Sequence, residues 1–378
     1  MSKKLRRIAS QLLYSPDGLL PNMVATLDET GTVVDMARSQ RVDSLSDVEF
    51  YNGILIPPLV NAHCHLELSH LRGAIAPGGG LCRFAREVVS MRGGRPEVVR
   101  ATAEYRDARM WSEGIGIAGD VSNDAVSFAV KKKSRIAYHT FIELSGLYSG
   151  ARARAEATLA AAGELDHSLT PHSTYSLYEA DFRHAATTGE GPLSVHFMES
   201  VAERELFEGR GELFDWYMER GLEVDFLHYG SPAERIIRNV PSSRRIMLVH
   251  NTFMGREELD ALAARFGDNL TLALCPRSNI YISGTLPPVA MLRRSGVRIA
   301  LGTDSLASNS SLSLVEEMKL LPDAPLEELL GWVTSNGAEA LGTTSRLEPG
   351  STGGVVLLSG VDPRTRTITP AATTKRII

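Results

Sequence analysis

The sequence predicts an α/β protein, an eight-stranded (β/α) barrel accompanied by a small β domain built from both chain ends. Three observations predict it. Apolar strand-like runs recur at 54–60, 115–119, 136–142, 165–171, 193–198, 246–250, 270–274 and 297–301. Between most of them lie stretches of helical periodicity, at 96–113, 177–187, 256–266 and 312–321, and this alternation marks a parallel sheet. Eight runs favour a closed barrel over an open sheet. Both termini instead carry short strands and turns, which suggests that they meet in one sheet.

Taken in order, Ile8–Tyr14, Met23–Leu27 and Val33–Met36 read as strands, with Pro16-Asp17-Gly18 as a turn. The run Ile54–Val60 starts the barrel. Gly78-Gly79-Gly80 follows no strand and reads as a loop, not a phosphate-binding fingerprint. Gly353–Leu358 reads as a buried strand, Asp362-Pro363-Arg364 as a turn and Thr367–Thr369 as a last strand. The division is therefore 1–52 with 346–378 as the composite β domain, and 53–345 as the barrel.

The bulk numbers bound the function. A chain of 378 residues with 43% hydrophobic and 22% charged residues has a globular balance. Its formal charge of −5 argues against a nucleic-acid partner. Lys131-Lys132-Lys133, the one basic run, reads as a solvated loop or helix end. Cys64, Cys82 and Cys275 are too few and too scattered for a disulfide framework, so a reducing cytoplasm fits best. The segment Met1–Arg7 is basic like a signal n-region, but the stretch after it is too short and polar for an h-region. No apolar run approaches the ~20 residues of a membrane span.

The most informative segment is Asn61-Ala62-His63-Cys64-His65. Side chains two apart on a strand share a face, so both imidazoles can grip one ion at a strand end, where barrel enzymes keep their functional groups. Applied to the other runs, the same filter selects His172, His196, His250 and Asp304. Each alone has an ordinary reading: a satisfied polar group for a histidine, a helix N-cap for Asp304. Jointly, His63, His65, His196 and Asp304 offer three neutral nitrogens and a carboxylate. That set suits one divalent transition metal, Zn²⁺ first, with Fe²⁺ or Mn²⁺ also accepted. The other five histidines (His70, His139, His167, His184 and His228) read mostly as surface or structural groups.

With these residues in order along 53–310, the chain resembles the amidohydrolase superfamily, in particular its aminohydrolase branch. That branch holds deaminases of adenosine-type compounds, guanine, cytosine and aminofutalosine, together with triazine chlorohydrolases. The matching motifs are Asn61–His65, Thr170-Pro171-His172-Ser173, His196-Phe197-Met198-Glu199, Leu248-Val249-His250-Asn251, Cys275-Pro276-Arg277-Ser278-Asn279 and Gly302-Thr303-Asp304-Ser305. The resemblance implies a TIM-like barrel with a composite β-sandwich domain. It implies that Glu199 shuttles protons, that His250 holds the attacking oxygen, that Asp304 shares in proton handling as well as ligation, and that His172 contacts substrate. Glu199 has a second reading as a first-turn helix carboxylate, and His172 as a capping or packing group. Relatives with two metals use a lysine at the end of strand 4; Ser168–His172 contains none, so one metal is expected.

Glu143, Arg83, Arg86, Arg92 and Arg277 are the charged residues expected to recognise substrate, with a solvated carboxylate as the equal alternative for Glu143. Leu81–Arg86 lies where relatives form a lid, without the tryptophan that many nucleoside deaminases carry there. Cys64 and Cys275 read as packing groups, not nucleophiles. The leading function is a hydrolytic deaminase of an amino-substituted heterocycle, with purine nucleoside derivatives among the candidates. The alternative is an amide or halide hydrolase on the same barrel, and the remote one a non-catalytic relative. A small-molecule substrate is the expected partner, with homodimerisation as the default for this architecture.

Overall fold

A computed structural model describes residues 5–378. The basic start Met1–Lys4 lies outside the described residues. Strands β1 (Arg6–Ser15), β2 (Gly18–Pro21), β3 (Met23–Leu27), β4 (Val33–Arg38) and β5 (Val48–Ile56) come first. They join two strands from the other chain end, β14 (Val356–Asp362) and β15 (Thr367–Arg376), in a seven-stranded sheet of order β15-β14-β5-β1-β3-β4, with β2 paired to β1. The expected turn at Pro16–Gly18 closes the β1–β2 hairpin, and the last strand is longer than its sequence suggests because it pairs along β14.

The eight remaining strands are β6 (Leu59–Cys64), β7 (Ile115–Ser122), β8 (Ala137–Leu144), β9 (His167–Pro171), β10 (Leu193–Phe197), β11 (Ile246–His250), β12 (Leu270–Leu274) and β13 (Arg298–Leu301). They form two parallel four-stranded sheets, β6-β7-β8-β9 and β10-β11-β12-β13. Single bridges connect the edges of the two: Ser173 with His196, and Cys64 with Asp304. The His196 N–H donates to the His172 carbonyl at 2.9 Å and the Thr303 N–H to the His63 carbonyl at 2.9 Å. Every residue of β6, β10, β11 and β12 is buried, as parallel strands covered by helices on one side require.

Four expectations need correction. The run 54–60 is two strands, because Pro57-Pro58 supply no N–H to a ladder: Ile54–Ile56 finish β5 in the seven-stranded sheet and Leu59 begins β6. β5 thus runs through the expected boundary at 52/53. Gly80 opens the helix Gly80–Met91, so the glycine run is only partly a loop. The helix expected over 312–321 is shorter, Leu314–Met318.

The basic run is the fourth. Lys132 and Lys133 are exposed, but Lys131 is buried and its Nζ lies 2.5 Å from Asp120 Oδ2. It also donates to Ser122 Oγ at 2.8 Å. Asp120 in turn accepts the Leu66 N–H at 2.6 Å and faces Cys64 Sγ at 3.4 Å, so this pair fixes the backbone on both sides of His65. Removing one partner of a buried pair strands the other charge. Lys131→Ala is expected to cost about 3–5 kcal/mol, read as a lowered denaturation midpoint; Asp120→Asn combined with Lys131→Met should recover most of the loss.

Candidate metal and catalytic site

The site lies at the C-terminal ends of the parallel strands. His63 is near the end of β6 and His65 one residue past it; His196 is in β10, His250 ends β11, and Asp304 follows β13. The backbone turns sharply to aim them. Met198, His250, Asn251 and Asp304 all have left-handed φ, between 47° and 78°, and they make up four of the six such non-glycine residues among those described. Side chains with a Cβ rarely adopt that conformation, and its concentration here marks a functional site held by its surroundings.

Single ligand atoms of His63, His65, His196 and Asp304 converge within 4.8 Å of one another. His65 Nε2 is 3.1 Å from His63 Nε2 and 3.5 Å from Asp304 Oδ1. The outer atoms of two of the rings are engaged elsewhere: His63 Nδ1 meets Ser194 Oγ at 3.0 Å, and His196 Nδ1 donates to the His172 carbonyl at 2.8 Å, while His65 Nδ1 is buried without a partner. Both rings therefore keep Nε2 free to face inward. Ser278 and Ser308 donate to Asp304 Oδ2 at 2.5 and 2.7 Å, leaving Oδ1 toward the histidines. Burial pushes the His63 and His65 pKa values down, so the imidazoles are neutral, the form that binds metal. Inward nitrogens 3.1 Å apart with a carboxylate beside them fit a divalent cation.

A second group, Glu143, His172 and His196, also converges. It shares His196, whose Nδ1 is already spent on the His172 carbonyl. One ion fits this arrangement better than two.

Glu199 and His250 stand next to the ligand set. Glu199 Oε1 is 3.6 Å from His250 Nε2, a buried atom with no hydrogen-bond partner. Burial, then the charges of Asp304 and Glu203, holds the Glu199 carboxyl well above the usual range, so it can carry a proton near neutral pH. Burial brings His250 down to about 3. Asn279 Nδ2 meets His250 Nδ1 at 3.3 Å and donates to Thr252 Oγ1 at 2.6 Å, fixing the ring. The first-turn reading of Glu199 falls away, because the helix is Val201–Phe207 with Ser200 as its N-cap. Glu203 fills the capping position and accepts the N–H groups of Met198, Glu199 and Ser200 at 2.9, 2.6 and 3.3 Å. The Ser200-x-x-Glu203 pattern was readable as a capping box and signals this support for Glu199.

These groups form the floor of a cavity of about 510 Å³. Its upper wall is largely apolar, with Leu81, Phe84, Val88, Leu147 and Trp216 prominent. Glu143 and His172 both line it. Glu143 accepts from Asn123 Nδ2 at 2.8 Å, and its Oε1, 3.7 Å from His196 Nδ1, has no hydrogen-bond partner. His172 stacks on His196 with centroids 4.6 Å apart and meets Ser176 Oγ at 2.8 Å, so it packs and faces the cavity at once. Arg92 lines the cavity too and reaches Glu67 at 3.0 Å.

Arg83, Arg86 and Arg277 do not line it. Arg83 is exposed and paired with Glu87; Arg86 lies over the outer Trp216 ring at 5.1 Å; Arg277 bonds Asn309 and Ser310 in a different cleft. Helix phase explains the first two, since Leu81 and Cys82 take the buried side of Gly80–Met91. In their place Arg154 and Arg220 line the cavity, and Trp216 supplies the tryptophan that the segment after β6 lacks. Nothing local in the sequence linked Trp216 to His63. The cysteines are free and buried, and burial pushes the Cys64 and Cys275 thiols up, which keeps them protonated and suits packing.

Eight parallel strands with three histidines and an aspartate at their C-terminal ends, beside a buried glutamate, are the arrangement of a metal-dependent hydrolase. Residues 54–376 match the amidohydrolase family, and the chain belongs to it. It is 28% identical to the adenosine deaminase of Helicobacter pylori over 77% of this chain and 75% of that one. It is also 28% identical to the 5'-deoxyadenosine deaminase of Methanothermobacter thermautotrophicus, over 81% and 73%. Among solved structures, Helicobacter pylori aminofutalosine deaminase in complex with methylthio-coformycin superposes with a TM-score of 0.81 at 22% identity, covering 94% of this chain and 93% of that one. An adenosine deaminase from Xanthomonas campestris with bound zinc gives 0.72 at 21% identity, over 93% and 84%. These likenesses establish a TIM-barrel-type fold. Among the described residues no helix is long and apolar enough to cross a membrane.

Proposed function

We propose that the chain is a hydrolytic deaminase that releases ammonia from the purine ring of a nucleoside derivative. The observation that carries this reading is Glu199, buried and 3.6 Å from His250 Nε2 beside the four converging ligand atoms. The deaminase names of the relatives at 28% identity support it. The two four-stranded sheets close as one eight-stranded barrel, and the seven-stranded sheet forms the composite domain from both chain ends. His63, His65, His196 and Asp304 would hold a single ion, with zinc preferred by the three-nitrogen, one-oxygen donor set. Bound there, it would lower the pKa of a water enough for attack at neutral pH.

The chain's own groups supply the rest. Glu199 takes a proton from the attacking water and delivers it to the ring nitrogen next to the amine-bearing carbon. His250 Nε2 lies free to hydrogen-bond the oxygen that adds to that carbon. Asp304 Oδ1, braced from behind by Ser278 and Ser308, shares in moving the second proton to the amine, which leaves as ammonia. Glu143 and His172 line the cavity within reach of the substrate's polar groups, and the apolar upper wall excludes water. The cytoplasm is the compartment we assign, in keeping with three unpaired cysteines.

The test is ammonia release by zinc- and manganese-loaded protein from adenosine, 5'-deoxyadenosine, S-adenosylhomocysteine, guanine and cytosine. Release from an adenine nucleoside, with a carbonyl replacing the amine in the product, is expected. Turnover of amides or chlorinated triazines with no ammonia from any aminopurine would overturn the deaminase reading and favour the amide or halide hydrolase.

A further inference from the structure

A second and larger cleft, about 1160 Å³, opens between the helix Pro96–Ser112, the segment Ser310–Glu316 and strand β15. It shares no lining residue with the catalytic cavity. In a chain of net charge −5 its lining is strongly cationic: Arg72, Arg106, Arg109, Arg135, Arg277 and Arg376, with Lys375 at the edge. The two carboxylate side chains that line it are already engaged. Glu113 pairs with Arg109 at 2.6 Å, and Glu316 with Lys319 at 2.6 Å and Arg277 at 3.8 Å.

No carboxylate of the described residues lies within 4.0 Å of Arg72, Arg106 or Arg135. Arg106 is the most telling of the three. It is half-buried, its Nε is sequestered without a hydrogen-bond partner, and burial followed by the neighbouring charges of Arg72 and Arg109 lowers its pKa. Arg135 and Arg376 cover Trp111 at 4.8 and 3.5 Å from its ring centroid, which holds two more guanidinium groups at the wall. Around these cations run hydroxyls, from Ser310, Ser311 and Ser313 on one side and Thr373 and Thr374 on the other.

Guanidinium groups that outnumber the acids beside them are costly when partly buried, and a bound anion with several oxygens removes that cost through charge-assisted, paired hydrogen bonds. We propose that this cleft is a binding site for a phosphate-bearing small molecule, with Arg106 and Arg72 taking the phosphate. The cleft is much larger than a phosphate ion, so the remaining volume suits the organic part of a phosphorylated metabolite. This site stands apart from the deaminase reading and does not depend on it.

The test is calorimetric titration of the metal-loaded full chain with inorganic phosphate and, separately, ribose 5-phosphate, against sodium chloride at matched ionic strength. Saturable binding of either is expected, and whichever binds more tightly tells free phosphate from an organic phosphate. Arg106→Gln and Arg72→Gln should each weaken it at least about tenfold. Arg106→Gln should also keep its metal content and melt no lower than wild type without ligand, since it removes an uncompensated cation, while losing the rise in melting temperature that the ligand gives wild type. No heat beyond the chloride control, unchanged affinity in both variants, or tight binding only of a polyglutamate peptide would overturn the proposal.

Discussion

Glu199→Gln is expected to retain the metal and to lose about 10²- to 10⁴-fold in the rate of ammonia release, the usual worth of a positioned acid–base group. The amide keeps the volume and the backbone anchorage, because Glu203 holds the Glu199 N–H at 2.6 Å and is untouched. What it loses is the ability to accept a proton. Metal content by elemental analysis and single-turnover ammonia release together separate the two roles. Retained metal with near wild-type turnover would remove Glu199 from the mechanism and shift proton handling to Asp304.

Asp304→Ala has the larger effect on the ion itself. It deletes a ligand and leaves Ser278 and Ser308 without their acceptor, so metal content and activity should fall together, and added zinc should not restore normal rates. Ser278→Ala is the graded companion. It removes a 2.5 Å hydrogen bond to Asp304 Oδ2 but no ligand, and should weaken metal affinity about 10- to 100-fold in a chelator competition. An unchanged affinity in Ser278→Ala would mean that the left-handed backbone at Asp304, and not the hydroxyl, aims the carboxylate.

Much of the parallel core was legible because its strands are short apolar runs bounded by turn chemistry. The runs at 246–250 and 270–274 coincide with β11 and β12. The sheet shared by the two termini was harder to delimit. β5 looked like part of the first barrel strand, since Ile54–Val60 is apolar throughout, and only pairing with β1 and β14 assigns Ile54–Ile56 to the other sheet. Lys131 looked solvated because a sequence cannot show that Asp120 comes to lie 2.5 Å away.

The sequence by itself singled out His63, His65, His196 and Asp304 as candidate ligands, and the family motifs added Glu199 and His250 beside them. Strand periodicity places residues on one face, and parallel strands bring all their C-terminal ends to one rim, so the convergence of the four candidate ligands follows from local pattern, whereas the roles of Glu199 and His250 rest on the resemblance. The tertiary structure alone decided which residues line the cavity. Arg83 and Arg86 turn away with the phase of their helix, Arg277 faces the second cleft, and Trp216, Arg154 and Arg220 arrive from helices and loops far along the chain. Loops and helix faces are placed by what they pack against, and those long-range contacts leave no periodic trace in the sequence.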